Sequence, residues 1–201
     1  MKVKICGVTR PEDAEIISDL GADYMGVVLY PKSRRYVPAS DLSPLLSVKG
    51  PLKVAVMVNP SLEEALDVLR TGFDLIQLHG EERVEFARKV GIHRVIKAFR
   101  IKDTPPRIEE EWKEAHGILF DSFSPTAFGG TGKTFNWDLI KGLSADGWRI
   151  FLSGGLKPEN VREACMRVKP YCADVSSGVE LSPGIKDPAK VEKFIKEVKS
   201  L

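Results

Sequence analysis

The sequence predicts an α/β fold, a single (β/α)8 TIM barrel of minimal size spanning residues 1–201, with its fifth helix short or irregular. Three observations lead there. Short β-branched runs bounded by Gly, Asp or Asn alternate with longer amphipathic runs that open after Pro, Ser or Asp. The alternation repeats eight times in 201 residues, about 25 per unit, near the minimum for a strand, a crossover helix and two loops. Strands separated by helices pair in parallel through right-handed crossovers, and eight such units close on themselves, whereas an open doubly wound sheet has fewer, larger units.

The strands are expected at Val3–Cys6, Tyr24–Leu29, Val54–Val58, Leu75–His79, Arg94–Ala98, Ile118–Asp121, Ile150–Ser153 and Ala173–Ser176. Helices are expected to begin near Pro11, Pro38, Ser61, Glu82, Trp137 and Pro158, with a last one from Asp187 to the C-terminus. In the fifth connection Thr104-Pro105-Pro106 interrupts the helical pattern, because Pro lacks the amide donor and clashes with the preceding turn.

A 43% hydrophobic and 29% charged composition fits a folded globular chain. Thirty basic against 28 acidic residues excludes a broad nucleic-acid-binding coat but leaves room for a local anion pocket. Cys6, Cys165 and Cys172 are too few for a disulfide framework, and the odd count suits a reducing compartment. The first residues read as a strand rather than a signal peptide, and no apolar run approaches a membrane span, so a cytoplasmic protein is expected. His79, His93 and His116 show no metal-ligand spacing.

Barrel chemistry sits at the C-terminal ends of the strands, with a phosphate site after the last two. The first strand ends in Cys6. Lys2, Lys4 and Cys6 share one face, so an inward Cys6 has the Lys4 ammonium one layer below, which favours thiolate and is expected to lower the thiol pKa. The bland alternative is a small buried apolar side chain. The sixth strand ends in Asp121, suited to a general acid or to capping a turn. Ser153-Gly154-Gly155-Leu156 after the seventh strand and Ser176-Ser177-Gly178 after the eighth each resemble an anion-binding turn. Each alone is weak; together, after the last two strands, they indicate a phosphate site. The loop Phe128–Thr134 is not a Walker A motif, since Ala127 stands where its first glycine belongs; it suits a lid carrying Lys133. Either Arg34 or Arg35 suits a carboxylate clamp, and Gln77 and His79 share a face at the fourth strand's end.

Taken in order, Lys4-Ile5-Cys6-Gly7-Val8-Thr9, Ser33-Arg34-Arg35-Tyr36-Val37, Gln77-Leu78-His79-Gly80-Glu81, Gly129–Phe135, Ser153-Gly154-Gly155-Leu156 and Asp174–Glu180 resemble the phosphoribosylanthranilate isomerases of tryptophan biosynthesis over essentially the whole chain. The resemblance implies an Amadori rearrangement without metal or cofactor. It implies Cys6 as general base, Asp121 as general acid and Arg35 as the anchor of the anthranilate carboxylate. It implies further substrate contacts from Gln77, His79, Gly130 and Asp174, and a phosphate cradle of Gly154, Gly155, Ser176, Ser177 and Gly178. The partner is then a small phosphorylated substrate, not nucleic acid or membrane, and the chain a monomer or homodimer. Competing readings are a related isomerase of histidine biosynthesis, which uses two carboxyl groups, and a catalytically silent sugar-phosphate-binding barrel.

Overall fold

The computed structural model describes residues 1–122 and 134–201. Eight parallel strands close into one barrel: β1 (Lys2–Cys6), β2 (Tyr24–Val28), β3 (Leu52–Met57), β4 (Leu75–Leu78), β5 (Val95–Ile101), β6 (Gly117–Ser122), β7 (Ile150–Leu152) and β8 (Cys172–Val175). The ring shuts where β1 pairs with β8 through Lys2↔Cys172 to Ile5↔Val175. All eight strands overlap the segments expected from sequence.

The period of two along each strand divides the core into two compartments. One parity faces outward: Val3, Ile5, Met25, Val27, Ala55, Ile76, Leu78, Phe120, Leu152 and Ala173 join the large cluster shared with the helices. The other parity fills the barrel with Tyr24, Val54, Leu75, Ile96, Leu119, Phe151 and Cys172. Above them, at the C-terminal mouth, lies a small group of Cys6, Val28 and Val56. Side chains facing the mouth on the same parity are therefore the ones available for chemistry.

The outer layer holds α1 (Pro11–Asp19), α2 (Leu42–Ser47), α3 (Leu62–Arg70), α4 (Val84–Val90), α5 (Val161–Val168) and α6 (Pro188–Lys199). Ser61 caps α3 in a reciprocal capping box with Glu64, and Asp187 caps α6 through the amides of Ala189 and Lys190. Among the described residues, two connections carry no α-helix. The one after β5 holds a 3₁₀ turn at Glu110–Glu114, as the prolines led us to expect. The helix expected from Trp137 is a correction: it is a 3₁₀ turn over Trp137–Ile140. Gly142 and Gly147, with φ of 96° and 85°, take left-handed conformations that an α-helix excludes. Trp137 and Ile140 are nevertheless buried in the large outer cluster, and the short turn packs against α5.

An antiparallel hairpin beyond β8 was not anticipated. It comprises β9 (Glu180–Ser182) and β10 (Ile185–Lys186), joined through Pro183-Gly184, with Gly184 at φ 88°. Thr9 Oγ1 donates to the Gly184 carbonyl at 2.6 Å, and the Lys186 amide donates to Asp13 Oδ2 at 3.1 Å. Both bonds hold the hairpin against the β1–α1 region.

Candidate active site

Seven of the predicted residues line one cavity at the C-terminal mouth: Cys6, Arg35, Gln77, His79, Asp121, Asp174 and Ser176. Tyr30, Ser33, Val58 and Ser153 complete its polar and apolar walls. Cys6 from β1 and Asp121 from β6 thus face the same space from separate strands. Cys6 is 8% exposed and Asp121 4% exposed, so both are largely shielded from bulk water.

Lys4 lies one layer below Cys6, fully buried, with its ammonium 2.8 Å from Asp174 Oδ1. Burial disfavours the ammonium, but the Asp174 carboxylate outweighs it and holds Lys4 charged. The expected lowering of the Cys6 thiol pKa is not the net result. Burial pushes the thiol above its ordinary value, and the nearby Asp174 carboxylate adds to this, while the Lys4 and Lys186 ammonium groups offset only part. The lysine was placed correctly; its partner and the dryness of the site were invisible along one strand.

Asp121 Oδ1 accepts the Ser122 amide at 2.8 Å, which fixes the carboxyl group at the strand end. Across the mouth, the Gln77 amide nitrogen is 3.0 Å from His79 Nδ1. With Gln77 donating, Nδ1 is the acceptor and the imidazole proton resides on Nε2, which faces Asp121 Oδ2 at 3.6 Å. Gln77 Oε1 and His79 Nε2 are buried without hydrogen-bond partners among the described residues. Unsatisfied buried polar atoms are costly, and both belong to residues lining this cavity, where a substrate's hydroxyl or amine would complete them.

Of the two neighbouring arginines, Arg35 is buried and Arg34 exposed. Arg35 Nε and Nη2 donate to the two oxygens of Glu180 at 2.8 and 2.6 Å. Gly7 makes room for this arm: at φ 72°, a Cβ on it would stand 2.4 Å from Arg35 Cδ and 2.9 Å from Ser176 Oγ.

Gly155, Ser177 and Gly178 line an adjoining depression together with Arg34, Arg35, Lys157 and Ser182. Gly178 admits no side chain, because a Cβ would lie 1.9 Å from the Leu156 carbonyl oxygen. The backbones following β7 and β8 therefore touch there. Gly154 is not part of the depression; a Cβ on it would meet the Ser122 amide at 2.8 Å and Asp121 Oδ1 at 3.3 Å, so it lets the β7 turn pass close to Asp121. Gly130 and the proposed lid with Lys133 lie outside the described residues. A larger groove beyond β5, lined by Phe99, Arg100, Pro105 and Trp112 among others, contains none of the predicted site residues.

Two residues at the mouth were missed. Glu180 ends the Asp174–Glu180 motif but gave no sign that it grips Arg35. Lys186 carried no local signal, because its role depends on the hairpin folding back over β1. Among the described residues no group of His, Cys, Asp or Glu is arranged to hold a metal ion, and no helix is long and apolar enough to cross a membrane.

Comparison with known proteins agrees with this architecture. Residues 3–197 match the family model described as N-(5'-phosphoribosyl)anthranilate (PRA) isomerase. The N-(5'-phosphoribosyl)anthranilate isomerase of Aquifex aeolicus is 51% identical over 203 residues, covering 100% of this chain and 99% of the relative. A solved structure of monomers of the dimeric Thermotoga maritima phosphoribosylanthranilate isomerase superposes with a TM-score of 0.85 at 40% identity, covering 100% of both chains. A phosphoribosylanthranilate isomerase in complex with reduced 1-(o-carboxyphenylamino)-1-deoxyribulose 5-phosphate gives a TM-score of 0.84 at 39% identity, again over 100% of both chains.

Proposed function

The chain belongs to the N-(5'-phosphoribosyl)anthranilate isomerase family, and from that premise we propose that it converts N-(5'-phosphoribosyl)anthranilate into 1-(2-carboxyphenylamino)-1-deoxyribulose 5-phosphate. This Amadori rearrangement belongs to tryptophan biosynthesis, and we place it in the cytoplasm. The observation that carries the reading is a thiol and a carboxyl group lining one shielded cavity, with a buried arginine at its wall and a glycine-rich depression beside it.

In the proposed mechanism the carboxylate of the aromatic ring meets Arg35 and the phosphate enters the depression of Gly155, Ser177 and Gly178. Binding both ends fixes the sugar between Cys6 and Asp121 and converts the proton transfers into effectively intramolecular steps. Asp121 gives its proton to the furanose ring oxygen as the bond from that oxygen to C1 breaks. The anilino nitrogen lone pair forms the C1=N bond, leaving a positively charged Schiff base. That charge acidifies C2, whose proton passes to Cys6; the accepting form is the thiolate, which burial disfavours and the Lys4 and Lys186 ammonium groups partly restore. The C2–H electrons become the C1=C2 bond, and the C1=N pair returns to nitrogen, giving an enolamine. Protonation at C1 and loss of the proton on O2 produce the ketone, so substrate and product are isomers, and net transfer of one proton from Cys6 to Asp121 restores both groups for the next turnover. Every step is a proton transfer coupled to bond rearrangement.

Gln77 Oε1 and His79 Nε2 supply an acceptor and a donor for the sugar hydroxyls and the bridging amine. Asp174 keeps Lys4 ionised beneath the thiol. Cys6→Ala and Asp121→Asn should each lower kcat by at least about 10²-fold, the low end for positioned acid–base groups. Fluorescence loss of freshly prepared substrate measures this, and turnover near that of the unaltered protein in either variant removes that residue from the mechanism. A related isomerase using two carboxyl groups is disfavoured by the thiol at the end of β1.

A further inference from the structure

The β9–β10 hairpin contributes two buried ions that the proposed mechanism does not use. Glu180 and Lys186 are 8% and 3% exposed, and Arg35, which they surround, is 8% exposed. Glu180 Oε1 accepts from Arg35 Nε at 2.8 Å, from Lys186 Nζ at 2.8 Å and from the Gly184 amide at 3.3 Å. Its Oε2 accepts from Arg35 Nη2 at 2.6 Å. Lys186 Nζ also donates to the Cys6 carbonyl at 2.6 Å and to the Ser176 carbonyl at 3.4 Å. One ammonium therefore joins the strand end bearing the thiol, the segment leading to the glycine depression and the carboxylate that grips the arginine.

We propose that Glu180 and Lys186 are positioning residues that hold the Arg35 guanidinium by its Nε/Nη2 edge, presenting its Nη1/Nη2 edge to the substrate's aromatic carboxylate. The inference rests on the reading of Arg35 as the carboxylate anchor.

A guanidinium has five hydrogens in a planar fork and two edges able to grip a carboxylate bidentately. Glu180 takes one hydrogen from Nε and one from Nη2. Both hydrogens of Nη1 and the second of Nη2 remain, which is the geometry of the other bidentate edge. Because the plane is already fixed, a carboxylate landing there does not have to freeze a long, mobile arm.

Glu180 by itself would defeat this purpose. Its charge cancels that of Arg35 and repels an incoming anion. Burial raises the Glu180 pKa, but the bonds from Arg35 and the charge of Lys186 outweigh this and keep it ionised, below its ordinary range. Lys186 restores the balance: one negative and two positive charges leave the cluster with a net single positive charge, and of its members Arg35 lines the cavity. Stability is a weak explanation for such a triad, since the cost of desolvating buried ions commonly matches or exceeds their attraction.

The test compares two competitive inhibitors: reduced 1-(2-carboxyphenylamino)-1-deoxyribulose 5-phosphate and its counterpart lacking the ring carboxylate. Glu180→Gln and Lys186→Met should each weaken the carboxylated inhibitor about tenfold, as expected for disrupting a charge-assisted bidentate contact, the lost alignment of Arg35 in Glu180→Gln outweighing the repulsion that it removes. In Glu180→Gln, KM for the substrate should rise in parallel with kcat nearly unchanged; Lys186→Met also removes an ammonium that favours the Cys6 thiolate and should lower kcat as well. The inhibitor without the carboxylate should bind all variants within about twofold, and Lys186→Arg, which keeps the charge, should retain most of the preference. A hairpin that merely braces the barrel would weaken both inhibitors equally or neither, and either result overturns the proposal. Glu180→Gln alone decides the matter if Lys186→Met does not fold. Arg35→Ala separates the two levels. If it leaves the carboxylate preference intact, the reading of Arg35 falls and the proposal with it. If it abolishes the preference while Glu180→Gln and Lys186→Met keep it, the proposal alone falls.

Discussion

Gly26 offers a sharp test of how tightly the thiol is placed. It sits on β2 directly in register with Cys6 on β1, where the barrel interior has no room for a side chain. A Cβ built there would stand 2.7 Å from Cys6 Sγ and 3.2 Å from both Cα and Cβ of Cys6. Non-bonded heavy atoms prefer separations of roughly 3.5–4.0 Å, so in Gly26→Ala the sulfur must withdraw by about 1 Å. Cysteine has one side-chain torsion and a small tip, so most of the strain is relieved by turning Sγ away from the methyl group. An off-rotamer torsion costs about 0.5–1.5 kcal/mol. For a chain of this size that corresponds to a Tm loss of about 1–6 °C. The catalytic loss is far larger, because a misplacement of about 1 Å in a reacting group costs on the order of 10²-fold in rate. The variant should therefore be folded, slightly less stable and about a hundredfold slower in kcat, with KM little changed. Thermal unfolding followed by circular dichroism gives the first quantity and the fluorescence assay the others. A kcat within about twofold of the unaltered protein would refute the argument that thiol position limits the rate. A Tm loss beyond about 10 °C would refute the claim that the strain is confined to the side chain.

The free thiol should titrate late. Burial places the Cys6 thiol above its ordinary value of 9.0, so alkylation by iodoacetamide should have its midpoint above pH 9; a midpoint below that value would show that the ammonium groups win. Cys165 and Cys172 are 1% and 0% exposed and should not interfere in the folded protein. At the opposite end of the barrel, His116 Nε2 lies 3.1 Å from the Tyr24 hydroxyl, and burial, followed by the charge of Arg149, lowers its pKa from 6.5. The neutral imidazole is thus favoured in the folded state. Its stabilising contribution is fully present above pH 6.5 and is lost as pH falls from there through the lower folded value. Denaturant titrations from pH 8 downward should show a decline that is shallower in His116→Gln; identical slopes in the two proteins would exclude the histidine as its source.

Much of the architecture was legible along the chain because its signals are local. Strand and helix periods, proline interruptions and glycine turns are properties of neighbouring residues, and an eightfold alternation leaves few topologies besides a closed parallel barrel. The same locality explains the one helix that was misjudged. Trp137 and Ile140 supply a helical spacing, but Lys141 is already extended and Gly142 behind it is left-handed, so the turn stops after Ile140. Position at strand ends also singled out Cys6 and Asp121, since parity along a strand determines which side chains share a face.

What tertiary structure decided is everything that depends on groups distant in sequence. The thiol stands high because the mouth is dry and Asp174, 168 positions away, engages the lysine beneath it. Arg35 rather than Arg34 turns inward because Glu180, on a hairpin after the last barrel strand, receives it, with Lys186 completing the cluster. Periodicity records which way a side chain faces relative to its neighbours. Solvation and Coulomb interactions depend on what lies within a few ångströms, and only closure of the barrel brings its two ends of chain to that distance.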